Sequence, residues 1–148
     1  MRIKSAKIIC IAALILSVLY LACVGVYTWI VPSYDHAETS FEVDYNLLNT
    51  VVAYFENRSE NEYIHRNVRY YDEIDDEDVV DAIDNLFDRQ YQAVGRTGNT
   101  IYFIKWIRTN GSNVGIAYTI SAKEQPTVDR IVKFEKLSRD KWYYFETE

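Results

Sequence analysis

The chain has 148 residues, a formal net charge of −6 and 49% apolar residues, which leaves room for one modest folded domain. Two Cys and two His exclude a disulfide-dense scaffold, a Cys-based zinc cage and a His-rich metal site. The apolar residues are unevenly spread, and the first thirty-one positions hold a disproportionate share.

Residues 8–31 carry no charge. A helix of that length, rising about 1.5 Å per residue, crosses a hydrocarbon core of roughly 30 Å. Arg2, Lys4 and Lys7 precede it, while Asp35, Glu38, Glu42 and Asp44 follow. The positive-inside rule therefore places residues 1–7 in the cytoplasm as a basic tail and the remainder outside. Tyr27 and Trp29 fall where the outer headgroup layer is expected. An uncleaved signal anchor is the preferred reading, with the lipid bilayer as the partner of residues 8–31. A cleaved signal peptide would have a shorter apolar core and a small-residue cleavage site. A lipoprotein signal is the sharper rival, because Leu21-Ala22-Cys23 resembles the end of a lipobox. Tyr20 and the mostly apolar residues after Cys23 argue against it. Cys10, near the cytoplasmic end, is a second candidate for lipidation. Ala13 and Ser17 form a small-xxx-small pair of the kind that lets two helices approach, which would allow a homodimer.

Residues 32–38 read as a tether, and 39–148 as an extracytoplasmic domain. Thr39-Ser40-Phe41-Glu42 reads as a capping box, and Leu48, Val51, Val52 and Phe55 follow at helical spacing. A helix is expected over about 40–57. Residues 63–71, rich in Tyr, Val and Ile, suggest a short strand. Asp75 or Asp76 then caps a second helix whose apolar face is Val79, Ile83, Leu86 and Phe87. Beyond residue 90 the pattern changes to period two. Strands are expected over 91–94, 101–108, 114–121, 130–137 and 142–146, with turns at Gly98-Asn99, Asn110-Gly111 and Gln125-Pro126. Residues 101–107 are apolar on both faces, as in a central strand covered on both sides. The fold class is α+β, with two helices packed on an antiparallel meander of four or five strands.

Nine acids lie between Asp72 and Asp88. Those in the first helical turn complement the helix dipole. Glu77, Asp81, Asp84 and Asp88 differ, because their spacing of four, three and four aligns them on one stripe with no Lys between them. Such a stripe is self-repelling by a few tenths of a kcal/mol per pair. It reads as a docking face for a basic protein or a weak divalent-cation site, and otherwise as a solvated outer face. Residues 32–98 carry 16 acids against 5 bases, and residues 99–148 carry 6 against 8. The outer segment is thus net −9, which excludes nucleic acid as a partner.

Aromatic residues are plentiful. Tyr102, Trp106 and Tyr118 are candidates to floor a ligand groove, and Trp142 and Tyr144 share one strand face that would grip a glycan or a protein. Their simpler role is strand formation and core packing. No catalytic or phosphate-binding motif is present, and no cofactor is implied. His36 lies in the expected tether and His65 among charged residues. Asn57-Arg58-Ser59 and Asn110-Gly111-Ser112 match the glycosylation pattern but are close to chance.

The run Asp81–Tyr91, the segment Gly98–Phe103, Trp106 and the ending Leu137–Phe145 resemble small exported or membrane-anchored proteins of Gram-positive bacteria, a group with no assigned activity. The resemblance spans roughly residues 60–148. It implies export, anchoring and a bacterial source, and it carries over no functional residue.

The expected role is therefore a membrane-anchored, non-catalytic interaction domain that binds a protein near the membrane. A cell-envelope module for glycan or peptide is the alternative, and a carboxylate-based hydrolase is the third reading.

Overall fold

The computed structural model describes residues 13–23, 33–58, 62–67, 74–108, 111–121 and 125–148. They fall into two units, 1–32 and 33–148. In the first, residues 13–23 form a helix, α1, on which every side chain is exposed. Leu14, Leu16, Tyr20 and Leu21 are 66–69% accessible. Ser17 satisfies its hydroxyl by donating to the Ala13 carbonyl at 2.9 Å. Among the described residues no helix is long and apolar enough to cross a membrane. Arg2, Lys4, Lys7, Cys10, Tyr27, Trp29 and the rest of the expected span lie outside the described residues.

The second unit is α+β. It contains α2 (Tyr34–Glu56), α3 (Glu77–Asp88) and six strands: β1 (Tyr63–His65), β2 (Ala93–Thr97), β3 (Thr100–Ile107), β4 (Asn113–Thr119), β5 (Ile131–Lys136) and β6 (Trp142–Thr147). α2 begins six residues before the expected start. Ser33, not Thr39, is its N-cap, and accepts a hydrogen bond from the His36 amide. Thr39 lies inside the helix and donates to the Asp35 carbonyl. The cause is the apolar stripe, which continues upstream through Phe41 to Ala37, both fully buried. Tyr34 lies one turn further up the same stripe, its ring edge-on to Tyr144 at 6.1 Å and its hydroxyl donating to the Lys136 carbonyl at 2.7 Å. Residues 34–38, expected as tether, are consequently helical.

α3 matches its expectation. Asp76 caps it, and Val79, Ala82, Ile83, Leu86 and Phe87 are buried. β1 is shorter than the expected 63–71, of which 68–71 lie outside the described residues. β2 starts two residues late, with Tyr91 buried just ahead of it.

All strand pairs are antiparallel, but the sheet has six strands and is not a meander throughout. The order is β1-β2-β3-β4-β6-β5. β6 lies between β4 and β5, so β4 and β5 run parallel and their connection is a crossover, of which residues 125–130 are described ahead of β5. Val128 in that connection packs on Ala93, Ile104, Ala117 and Phe145. The helices occupy the opposite face, where Phe41, Leu48 and Phe55 of α2 and Ile83, Leu86 and Phe87 of α3 join Ile101, Phe103, Ile116, Trp142 and Tyr144. Residues 101–104 are thus covered on both sides, by the helices on one and by Val128 on the other, whereas the strand opens toward its end, where Ile107 is 54% exposed.

The C-terminal end of α2 has no basic residue of its own in the last turn. Arg96 of β2 supplies the charge. Its Nη1 donates to the Phe55 carbonyl at 2.8 Å and also to the Arg58 carbonyl, and its Nε donates to the Gly98 carbonyl at 2.9 Å. Arg96→Ala is expected to cost about 2–3 kcal/mol, the scale of charge-assisted bonds lost at a helix end. Arg96→Lys should recover only part of that, because an ammonium lacks the planar fork. Urea-denaturation midpoints check both.

Candidate functional site

α3 presents two chemically opposed faces. The buried one packs on the sheet. The other carries Glu77, Asp81 and Asp88, all exposed, with Asp84 half-buried among them. Asp76 accepts hydrogen bonds from the Asp78 and Val79 amides, which is the capping role expected of it. Among the described residues Glu77, Asp81 and Asp88 form no ion pair. The stripe extends roughly 16 Å along the helix. Its carboxylates are strung out along that length and do not converge in a cleft. Among the described residues no three or more acids, His or Cys are placed to hold a metal ion. His36 and His65 hydrogen-bond within their own turns.

The aromatic candidates do not form one surface. Trp142 and Tyr144 are 2% and 0% accessible and belong to the core under the helices. Phe41 and Tyr118 each pack 5.1 Å from the Trp142 ring centre. Trp106 and Tyr118 border that same core, whereas Tyr102 lies with Val128 on the opposite side of the sheet. The expected groove floored by Tyr102, Trp106 and Tyr118 is therefore not formed. Simple alternation would put residues 102 and 106 on one face. A bulge between Ile104 and Trp106 adds one residue, Lys105, and turns Trp106 to the helix side.

A different site appears where α2, the end of α3 and that bulge meet. Asp44 of α2 is a carboxylate only 2% accessible. Its Oδ1 receives Arg89 Nη1 at 2.6 Å, and its Oδ2 receives the Tyr91 hydroxyl at 3.0 Å and Lys105 Nζ at 3.1 Å. Lys105 Nζ also lies 4.4 Å from the centre of the Tyr91 ring and 5.5 Å from that of Trp106. An open cleft of about 490 Å³ adjoins this cluster, lined by Thr39, Ser40, Val43, Asp44, Arg89 and Lys105. Burial lowers the Lys105 ammonium below its usual range; hydrogen bonding and the charge of Asp44 oppose that, and Arg89 adds to it. Burial, the Asp44 charge and the Asp44 hydrogen bond push the Tyr91 phenol up. Neither Asp44 nor Lys105 is among the sequence-derived candidates, yet both left a signal. Asp44 is the one charge on the stripe Ala37, Phe41, Asp44, Leu48, and Lys105 interrupts the apolar run 101–107.

Tyr144, like Tyr91, has its phenol raised chiefly by burial, with Glu146 adding to it. These phenols stay neutral in the fold above about pH 10, where they ionise in the unfolded chain. Their contribution is constant below pH 10 and is lost as pH rises further. Lys105, with its lowered ammonium, acts oppositely in the window just below about pH 10.5. With both phenols shifted in the same sense, the net expectation is alkaline unfolding. Phenolate absorbance at Tyr91 and Tyr144 should appear together with loss of near-UV dichroism, and be absent while the fold persists.

No protein-family model, no curated protein and no solved structure matches the chain.

Proposed function

We propose that this is a membrane-anchored interaction domain that offers the acidic face of α3 to a basic protein partner. Residues 8–31 act as the stalk in the bilayer, with the N-terminus cytoplasmic and residues 33–148 on the outer side. The observation that carries the docking role is the exposure of Glu77, Asp81 and Asp88, which form no ion pair among the described residues, on a helix whose other face is buried. Acids at such spacing repel one another, and a basic partner relieves that repulsion. The stalk reading draws on the uncharged run and its basic flank, and on α1, whose large apolar side chains are all exposed. It agrees with the resemblance to exported Gram-positive proteins. Cys23, exposed on α1, makes lipoprotein processing the alternative means of anchoring. The domain is read as non-catalytic. The envelope-ligand reading rests on the Asp44 cleft alone, since the aromatic residues expected to floor a groove are divided between the two sides of the sheet.

Crosslinking in intact membranes, followed by recovery of the tagged chain, tests the docking role. A protein with a basic patch should be captured, less so at high salt. Joint replacement of Asp81, Asp84 and Asp88 by Asn should reduce that capture several-fold. Unchanged capture would make the stripe a solubility device.

A further inference from the structure

We infer that the cleft beside Asp44 is a binding site for a carboxylate-bearing ligand, with Arg89 as the accessible fork and Lys105 as the recessed charge. This site is independent of the acidic face of α3. Three features point to it.

The first is charge imbalance. Two cations, Arg89 and Lys105, converge on one carboxylate, so the cluster holds one positive charge in excess, within an outer segment that is net −9. Lys105 is the costly member, with its side chain only 10% accessible, and the charged groups acting on it are Asp44 and Arg89. An excess charge in such a place is stabilised by an incoming anion. The second is unused donor capacity. Among the described residues the Arg89 side chain donates only through Nη1, to Asp44, and the Lys105 ammonium donates only to Asp44. A guanidinium has five donors and an ammonium three. The third is access. Arg89 is 45% exposed at the mouth of the cleft, and Thr39 and Ser40 border the opening.

The class of ligand follows from the same facts. A planar fork pairs with a planar carboxylate through two parallel bonds. One excess positive charge balances a monoanion. A phosphate dianion would bring a second negative charge against Asp44. Peptide C-termini and acidic sugars both carry the required group.

Calorimetric titration of the full chain in detergent micelles separates these sources. The probes are N-acetylglycylalanine, glucuronate and inorganic phosphate. Saturable binding of the peptide supports the site and assigns a peptide source; saturable binding of glucuronate supports it and assigns a sugar source. Arg89→Gln should weaken that binding about tenfold or more, the scale of one lost charge-assisted pair. The half-exposed Arg89 is removable while Tyr91 and Lys105 still hold Asp44. Asp44→Asn removes the internal anion and should tighten binding. Failure of both carboxylates to saturate, saturation by phosphate alone, or equal affinity in Arg89→Gln would overturn the assignment.

Discussion

Asp44→Ala should destabilise the domain by about 3–5 kcal/mol, because removing one partner leaves uncompensated charge in the interior. The loss falls mainly on Lys105, which is nearly enclosed, while half-exposed Arg89 recovers hydration. Tyr91 also loses the acceptor for its buried hydroxyl. Against a typical total of about 5–15 kcal/mol, this is a large fraction. The pair itself adds little net stability, since both ions must be desolvated. Asp44→Leu combined with Lys105→Met should therefore be far milder than Asp44→Ala alone. Urea-denaturation midpoints of the three proteins, at equal m-value, decide it. A double variant as unstable as the single one would show that the cost lies elsewhere than in unpaired charge.

Gly115→Ala is the second severe change expected. A Cβ at this position would lie 2.1 Å from the Phe103 carbonyl oxygen and 3.0 Å from Phe145 Cε1. The first obstacle is backbone of the neighbouring strand, which no rotamer change relieves. β3 would have to move beside its bulge, where Ile104 pairs with Gly115. The expected cost is about 3 kcal/mol, the upper range for overpacking. Ala117→Gly, on the same side of β4 one pleat along, should cost only about 1 kcal/mol, as a strand interior losing a methyl group. Thermal midpoints compare them. A Gly115→Ala protein with an unaltered midpoint would mean that β3 and β4 are not packed this closely.

α3 is readable almost to the residue, because Asp76 followed by Val79, Ile83, Leu86 and Phe87 combines a cap with an uninterrupted period. The start of α2 is misplaced because the Thr39-Glu42 capping box is a local signal, whereas the packing of Tyr34 and Ala37 on the core upstream of it is not. Strand positions are nearly right, since period two and turn residues are local signals. The order of the last strands is not local. Whether β5 or β6 pairs with β4 depends on which of them buries more against the helices, and Trp142 and Tyr144 of β6 win that place. The same burial turns two proposed surface aromatics into core. The bulge at Lys105 has no local signature, and it separates Trp106 from Tyr102. Asp44 and Lys105 are legible in retrospect, as unlike charges each embedded in an apolar pattern.

The acidic stripe stands differently. Its alignment follows from helical spacing alone, and its exposure follows from the apolar face opposite. Its purpose depends on a second molecule. In the proposed docking role that molecule meets the domain outside the cytoplasm, so the membrane topology is the claim to test first.

The most direct test is protease treatment of intact protoplasts expressing the chain with a C-terminal tag. An externally exposed domain held by residues 8–31 should lose the tag to added protease, while a fragment containing the N-terminus remains in the membrane fraction at its full, unprocessed mass. A tag that stays protected until the protoplasts are lysed, or a mature chain that begins beyond residue 31, would contradict the account.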